Sequence, residues 1–350
     1  MSPSTTKQWT VEGKNGFDSL KWDEKAPVPS LGDKDVLVKF HAASLNYRDL
    51  AIPKGKYPFP VKEGVIPGSD GAGTVEAVGS RVTRFKPGDK VVTLFNQTHL
   101  AGTINVSNLP SGLGGAIDGT LREYGAFDEQ GLVHIPSNLN FFEASTLSCA
   151  ALTAWNALYG LEGSRALKPG QTVLTQGTGG VSIFAVQFAK AAGARVIATT
   201  SSEKKVELLK KYGADHVINY KENPNWGEQA QTLSPGGLGI DHVIEVGGPT
   251  TMAQSLKAVK IEGVISIIGF IGGNTKNQPS FLDALNNLCT VRGLLVGSRR
   301  QFEEMNAAIE ANDIHPVVDE KVFELAQLKE AYEYMWDQKH FGKMVIKIAE

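Results

Sequence analysis

The chain has 350 residues, a formal net charge of −2 and a hydrophobic content of 41%. This length allows two domains of about 150 residues each, and the balanced charge gives no reason to expect nucleic acid or an anionic membrane as a partner. No run approaches the roughly 18 to 20 apolar residues of a membrane span, and the first ten residues have no signal-peptide core. Two cysteines cannot form a disulfide framework, so we expect a reducing, cytoplasmic compartment.

The first 150 residues consist of short apolar segments that are separated by turn signals. Examples are DVLVKF (35–40), GAGTVEAVG (71–79) and DKVVTLF (89–95), with a turn at Lys86-Pro87-Gly88-Asp89. Alternation with period two and β-branched residues are typical of strands. The pattern predicts a mostly antiparallel β domain over residues 1–150.

From residue 151 to 297, apolar β-rich runs alternate with helix-like stretches. The six runs are TVLTQ, ARVIATT, HVINY, IDHVIEV, GVISIIG and TVRGLLVG. Most of them are separated by amphipathic segments, namely VSIFAVQFAKAAG, EKKVELLKKYG, TTMAQSLKAVK and FLDALNNL. This rhythm predicts a parallel sheet with helices on both faces, and right-handed crossovers make it doubly wound.

The last segment, residues 298–350, returns to the style of the first domain. Two helical patterns, QFEEMNAAIEAN (301–312) and LAQLKEAYEYMWDQ (325–338), precede the alternating strand KMVIKI (343–348). We therefore expect this segment to complete the first domain, with the α/β domain inserted between the two parts.

A glycine-rich turn follows the first strand of the predicted parallel sheet. Gly177, Gly179 and Gly180 precede Val181, and Ser182 stands where a third spaced glycine usually falls. Small residues here permit a tight turn, the approach of a pyrophosphate to the backbone, and close packing of helix on strand. The helix N-terminus also attracts phosphate. This context predicts a dinucleotide site with these residues in contact with the cofactor.

The tip of the second parallel strand indicates which dinucleotide binds. An acidic residue there would bond the 2′-hydroxyl of NAD and repel the 2′-phosphate of NADP, whereas this chain has Thr200, Ser201 and Ser202, with Lys205 close by. Tyr220 ends the third strand and could donate to the same phosphate. The alternative is that the segment only begins a helix, with a serine as its N-cap. We favour NADP(H).

Several motifs resemble those of the medium-chain dehydrogenase/reductases. They are NYRD (46–49), PGSDGAG (67–73), CAALTAW (149–155), QGTGGVS (176–182) and FGKMVIKI (341–348). The resemblance covers essentially the whole chain and is nearest to the zinc-independent, quinone-oxidoreductase-like branch. It implies an α/β fold in which a GroES-like, mostly antiparallel catalytic domain carries an inserted Rossmann domain.

The resemblance also implies that the chain lacks zinc. Asn46 stands where zinc-dependent relatives have a cysteine, Ser69 and Asp70 replace their His-Glu pair, and Cys149 is retained. An amide, a hydroxyl and one thiol form a poor zinc set. We expect no metal and a buried, apolar role for Cys149, with a weak site at Asp70 and Cys149 as the alternative.

The same resemblance implies a catalytic set. Asn46 would donate to the substrate oxygen from the position of the lost ligand, and Tyr57 and Tyr47 are candidates to donate or position a proton. The alternative for each tyrosine is a packing role. Asp49 is expected to organise the NYRD turn by pairing with a base such as Arg48.

Further cofactor contacts are implied by the family pattern. Thr153, Gly269 and Phe270 would lie beside the nicotinamide, Gly247 and Gly248 beside the adenosine half, and Lys343 near the pyrophosphate. The family also pairs its last sheet strand, here TVRGLLVG, across a homodimer, and such pairing would cover an apolar edge.

The expected function is NADPH-dependent reduction of an activated alkene or quinone without zinc, acting on a small-molecule substrate. One alternative is a carbonyl reductase or alcohol dehydrogenase that uses the same cofactor, because one fold hosts both chemistries. A second alternative is an NADPH-binding protein without catalytic activity.

Overall fold

The computed structural model describes residues 4–349, which divide into two compact units. One unit comprises the chain up to Leu152 together with the segment from Gly297 onward, and the other spans Thr153–Val296. The sequence placed the corresponding boundaries at residues 150 and 297. Within the described residues, no helix is long and apolar enough to cross a membrane.

The first unit is mostly β-structure before the insertion. Its elements there are β1 (Thr5–Val11), β2 (Leu20–Pro27), β3 (Asp35–Ser44), α1 (Tyr47–Ala51), β4 (Asp70–Val78), β5 (Lys90–Thr93), β6 (Tyr124–Asp128), β7 (Leu132–His134) and α2 (Phe141–Ala144).

The second unit alternates strands and helices. Its elements are α3 (Leu152–Tyr159), β8 (Thr172–Gln176), α4 (Gly180–Ala191), β9 (Arg195–Thr200), α5 (Val206–Lys211), β10 (His216–Asn219), α6 (Trp226–Leu233), β11 (Ile240–Glu245), α7 (Met252–Ala258), β12 (Val259–Ile267), α8 (Leu282–Asn286) and β13 (Thr290–Gly293).

The chain then returns to the first unit. The returning elements are α9 (Arg299–Ala311), β14 (Phe323–Glu324), α10 (Leu328–Trp336) and β15 (Val345–Lys347).

The main sheet of the first unit is built around β3. Its order is β14-β15-β3-β4-β5-β7, and β6 also pairs with β3. Strand β15 runs antiparallel to β3, with Val345 opposite Ser44. The returning C-terminal strand thus lies in the sheet that the N-terminal half begins.

The core of this unit draws on both ends of the chain. Trp9, Leu20 and Leu45 pack in one buried cluster with Tyr332 and Ile346. The Trp9 indole Nε1 donates to the Leu325 carbonyl at 2.7 Å, so this large ring has no unpaired polar atom. The first unit therefore depends on its C-terminal segment for a complete core.

The second unit contains one parallel sheet of order β10-β9-β8-β11-β12-β13. This is the doubly wound order in which the first strand lies centrally and the chain reverses direction across it. The predicted fold class, an antiparallel GroES-like domain with a doubly wound parallel sheet, is confirmed.

Two details of the second unit differ from the predicted pattern. Helix α6, with the sequence WGEQAQTL, is only eight residues long and mostly polar, and it was not predicted. The run TVRGLLVG is a strand only over Thr290–Gly293, where it pairs with β12. Short polar helices and strand ends depend on their neighbours more than on local pattern.

Candidate functional site

The glycine turn after β8 has the shape that a pyrophosphate requires. Gly177 has φ +74°, a conformation that residues with a Cβ rarely adopt, and Gly179 immediately precedes α4. A Cβ built on either glycine would meet nothing within 4 Å, so open space lies above the turn. Gly180 and Val181 begin α4, whose first N–H groups face outward from the helix end.

Ser182 compensates for the missing third glycine in a specific way. Its hydroxyl donates to the Gln176 carbonyl at 2.6 Å, which ties the first turn of α4 to the end of β8. The side chain is buried and small, so it permits the close helix–strand packing that glycine usually provides.

The structure brings the residues predicted to bind the 2′-phosphate together at one edge of the parallel sheet. Thr200 ends β9, its hydroxyl accepts from the Ser202 amide at 3.2 Å, and its carbonyl accepts from the Tyr220 amide at 3.0 Å. The Lys205 ammonium donates to the Thr178 hydroxyl of the glycine turn at 3.2 Å. Ser202 precedes a single 3₁₀ turn but makes no side-chain cap.

A buried network that sequence reasoning missed supports the switch point of the sheet. Glu245, at the end of β11, accepts from Gln176 at 2.8 Å and from the Gly248 amide at 2.8 Å. The Gln176 amide oxygen accepts from the Gly247 amide at 3.2 Å. The sequence does contain a signal for this network, because Gln176 and Glu245 each end a strand of the parallel sheet. The carboxyl ends of neighbouring parallel strands lie at the same edge of a sheet, so the two side chains can meet.

The other predicted cofactor residues lie on the same unit. Thr153 is a buried residue of α3, and Gly247 follows β11. A Cβ on Gly269 would come within 2.8 Å of the Val246 carbonyl, so glycine is required there. Phe270 is about half exposed. Their contacts with a cofactor stay predictions.

In the first unit, Asn46 lies at the N-terminus of α1 with a fixed side chain. Its backbone N–H donates to the Asp49 carboxylate at 2.8 Å, as predicted for an NYRD turn organised by Asp49. Its side-chain oxygen Oδ1 accepts from the Lys343 ammonium at 2.6 Å, and its Nδ2 faces the Ser69 hydroxyl at 3.4 Å.

Lys343 is a buried cation of the first unit. Its ammonium is buried and donates to the Leu45 carbonyl at 2.8 Å and to Asn46, and it lies 3.4 Å from the Asp70 carboxylate. These contacts use its three donors. A buried ammonium without such acceptors would be costly. The expected contact of Lys343 with a pyrophosphate stays a prediction.

Asp70 balances this buried charge. The Ser69 hydroxyl donates to Oδ1 of Asp70 at 2.5 Å, and the Ser44 hydroxyl donates to Oδ2 at 3.2 Å. The carboxylate is fully buried. The side chains of Ser44, Ser69 and Asn46 thus hydrogen-bond to the buried Lys343–Asp70 pair, which would be costly without them.

The residues at the positions of the family's metal ligands do not fit zinc. The Asn46 oxygen and the Asp70 carboxylate already face the Lys343 ammonium, which would repel a divalent cation. Desolvation, and secondarily the Asp70 carboxylate, raises the pKa of the Cys149 thiol to about 12, whereas zinc binds thiolate. Among the described residues, no group of three or more His, Cys, Asp and Glu could hold a metal ion.

Cys149 lies in a π-helical turn, Leu147–Ala151, that leads into α3. Its side chain keeps a little solvent contact, and it forms no disulfide. Turns of this type interrupt helices and occur often at functional sites.

The two candidate tyrosines are both packed against aromatic neighbours. The Tyr57 ring lies 5.4 Å from Phe59, and the Tyr47 ring stacks on Trp336 at 6.1 Å. Desolvation raises the pKa of Tyr57, and the nearby Arg48 charge opposes that rise. Their roles in proton transfer stay predictions.

Asp49 is a buried carboxyl at the same end of α1. Desolvation raises its pKa to about 6, and the Arg48 guanidinium opposes this shift. The Arg48–Asp49 pairing suggested by the sequence is present but long, at 3.9 Å between Nε and Oδ1.

Comparisons with known proteins agree with this architecture. The model of the alcohol dehydrogenase GroES-like domain matches residues 32–137, and that of the zinc-binding dehydrogenases matches residues 180–311. An antiparallel GroES-like unit with a parallel nucleotide-binding unit defines a nicotinamide-nucleotide-dependent oxidoreductase. The chain belongs to the medium-chain dehydrogenase/reductase superfamily.

Individual relatives span several activities. A zinc-type alcohol dehydrogenase-like protein of Schizosaccharomyces pombe is 51% identical over 95% of this chain and 96% of its own. The NADPH-dependent alkenal/one oxidoreductase of Arabidopsis thaliana chloroplasts is 29% identical over 98% of this chain and 80% of its own. The crystal structure of an NAD-dependent alcohol dehydrogenase has a TM-score of 0.87 and 31% identity, covering 98% of this chain and all of that one.

The buried charge pair yields a stability prediction. We expect Lys343→Met to lower the free energy of unfolding by about 3–5 kcal/mol, because it leaves Asp70 buried without its cation. Asp70→Asn should also destabilise the protein, and the double variant should lose less than the sum of the single losses. Urea unfolding measures each value. Lys86→Met, which removes an exposed ion pair with Asp89, is the control and should change stability by less than about 1 kcal/mol. Strictly additive losses would contradict the coupling.

Proposed function

We propose that the protein is an NADPH-dependent reductase of activated alkenes or quinones that works without zinc. The observation that carries this proposal is the orientation of the Asn46 amide. An ammonium can only donate a hydrogen bond, so Lys343 requires Oδ1 of Asn46 on its side and leaves Nδ2 as the opposite, donating end.

A fixed amide donor is the group that such a reduction needs from the protein. A bound NADPH would supply the hydride, which goes to the β-carbon of an enone while negative charge gathers on the carbonyl oxygen. Nδ2 of Asn46 would donate to that oxygen. Among the described residues, Nδ2 donates to the Ser69 hydroxyl at 3.4 Å, a long bond that a charged substrate oxygen can replace.

A proton must then reach the α-carbon to give the saturated product. Tyr57 is the candidate for donating it or for holding the water that does so, and Tyr47 is the second. The Tyr57 phenol is protonated at neutral pH, as tyrosine normally is, so it can donate a hydrogen bond.

The Lys343 charge supports the same chemistry. Through the Asn46 amide it polarises the N–H groups at the other end, and a hydrogen-bonded chain strengthens each of its members. A buried cation thus favours negative charge on a substrate oxygen at Nδ2, which is the electrostatic effect that a metal has in zinc-dependent relatives.

The reaction is tested by product analysis. Incubation with NADPH and (E)-2-hexenal in chelator should give hexanal, identified by NMR. Production of (E)-2-hexen-1-ol would instead favour the second candidate, a carbonyl reductase, which the likeness to alcohol dehydrogenases supports. No consumption of the aldehyde, of larger enones or of quinones would contradict both.

Asn46→Ala tests the donor. We expect kcat to fall by about 10²–10³-fold, which is the usual cost of removing one oxyanion donor. The affinity for NADPH, measured by fluorescence titration, should stay within about threefold. Asn15→Ala, at an exposed position, is the control variant. An unchanged kcat in Asn46→Ala would contradict the assignment.

The preference for NADP(H) rests on the tip of β9. No acid stands there, and Lys205 reaches toward the glycine turn through Thr178. The hydroxyls of Thr200, Ser201 and Ser202 provide further donors for a 2′-phosphate. One structural relative is an NAD-dependent enzyme, so the preference of this protein for NADP(H) over NAD(H) requires a direct test.

Lys205→Ala should weaken NADPH binding by about 10–100-fold, since one charge-assisted hydrogen bond contributes about 1.5–3 kcal/mol. Binding of NADH, which lacks the phosphate, should not change. Lys204→Ala removes a charge from the same turn and is the matched control. Equal losses for both nucleotides, or tighter binding of NADH than NADPH by the unmodified protein, would overturn the assignment.

We also propose a homodimer that pairs β13 with its twin. Within the described residues, β13 ends the parallel sheet with β12 on one side only. Large apolar side chains near this edge are exposed, with Phe281 at 88% and Leu285 at 65%. A free edge beside exposed apolar residues is a surface that proteins normally cover.

Leu285→Glu should therefore shift the protein from dimer to monomer, as measured by light scattering after size-exclusion chromatography at micromolar concentration. Leu238→Glu is the control, because Leu238 is exposed at 72% on the same unit but away from β13 in the sheet. A monomeric unmodified protein, or a dimer that resists Leu285→Glu, would contradict this interface.

A further inference from the structure

Arg48 is a buried cation that the proposed reaction does not use. Its side chain is only 10% exposed, and its Nε and Nη1 atoms are buried without a hydrogen-bond partner. A guanidinium carries five N–H donors and is always charged, so unpaired donors at a buried position are costly. An acceptor supplied by a bound ligand would remove this cost.

The surroundings of Arg48 stabilise its charge, but within residues 4–349 no acceptor lies within hydrogen-bond length of Nε or Nη1. The guanidinium carbon lies 4.6 Å from the centre of the Phe95 ring and 5.2 Å from that of Tyr57. Aromatic faces attract a cation and hold its plane in one place. The nearest carboxylate oxygen, Oδ1 of Asp49, is 3.9 Å from Nε, beyond hydrogen-bond length.

Gly115 leaves the room that the guanidinium occupies. A Cβ built on this glycine would come within 2.6 Å of Nη2 of Arg48, so any other residue would displace the cation. Gly115 thus leaves space for the guanidinium, and the Phe95 and Tyr57 rings pack against it.

Arg48 belongs to the same cluster as the proposed catalytic groups. It lies two residues after Asn46 on α1, and its charge acts on the pKa of Tyr57 and of Cys149. The second cation of the cluster, Lys343, has its donors bonded to Leu45, Asn46 and Asp70. Of these two cations, Arg48 is the one with donors to offer.

We propose that Arg48 binds a carboxylate on the substrate, so that the enzyme prefers activated alkenes that carry an anionic group. The planar fork of a guanidinium matches a carboxylate with two hydrogen bonds. This inference rests on the proposed reductase function. The cofactor pyrophosphate is the other source of anionic oxygen, and the experiment separates the two.

The test compares two enones that differ in one group. (E)-3-penten-2-one is neutral, and (E)-4-oxopent-2-enoate has a carboxylate in place of its terminal methyl. The measured quantity is kcat/KM for (E)-4-oxopent-2-enoate divided by kcat/KM for (E)-3-penten-2-one, each with NADPH. Arg48→Met should lower this ratio by about 10–100-fold, the loss expected for one or more charge-assisted hydrogen bonds. Arg48→Lys should restore part of it, because the charge returns without the fork.

Lys54→Met is the matched control, since Lys54 is another cation of this segment and lies over the Phe17 and Trp336 rings. Its ratio should equal that of the unmodified protein. Because the ratio is taken within each variant, partial misfolding cancels. An unchanged ratio in Arg48→Met, or a loss of NADPH affinity as large as the loss in kcat/KM, would overturn the proposal and favour a contact with the cofactor.

A binding measurement separates failure of this inference from failure of the proposed function. The protein saturated with NADP⁺ should bind 4-oxopentanoate in isothermal titration calorimetry at least tenfold more tightly than Arg48→Met does. If neither enone is reduced but this difference holds, the carboxylate site stands and the reductase function fails. If both enones are reduced but 4-oxopentanoate binds the two proteins equally, the function stands and the carboxylate site is wrong.

Discussion

The arrangement of the first unit depends on one buried ammonium. Lys343 comes from the returning C-terminal segment, and its acceptors lie on two separate segments of the N-terminal half, at Leu45 and Asn46 and at Asp70. A charge without acceptors in a protein interior costs several kcal/mol, so the return strand has little freedom in register. A backbone hydrogen bond supports the same register, since the Leu45 amide donates to the Met344 carbonyl at 3.0 Å.

A glycine makes this register possible. Gly342 has φ +72°, and a Cβ there would meet the Val317 carbonyl at 2.3 Å. The chain can therefore turn into β15 only with glycine before Lys343. The glycine of the FGK motif thus allows the backbone turn that leads the lysine to its internal acceptors.

In each unit a buried charge orients a side-chain amide, and the two charges have opposite signs. In the first, a buried cation orients an amide, Asn46, and in the second a buried carboxylate, Glu245, orients Gln176. In each case the charge decides which end of the amide faces which way, because an ammonium only donates and a carboxylate only accepts. Hydrogen-bonded networks of this kind fix polar side chains in place before a ligand arrives. Arg48 differs from both, since its Nε and Nη1 have no hydrogen-bond partner among the described residues.

Local pattern was sufficient to predict much of this protein. Alternation in DVLVKF, continuous apolar runs such as TVLTQ, and the glycines after β8 each follow from neighbouring residues in the chain, and they determined the fold class and the place of the dinucleotide turn. The sequence also identified Asn46 as a candidate, because its position in NYRD resembles that of a lost metal ligand. Only the tertiary structure decided which side chains contact one another. Lys343 contacts Asn46, Glu245 contacts Gln176, and Arg48 lies against the rings of Phe95 and Tyr57. Lys343 and Asn46 are separated by 297 positions in the chain, and no local periodicity encodes a contact of that range; it arises when the sheet aligns its strands and a buried charge must find its acceptors.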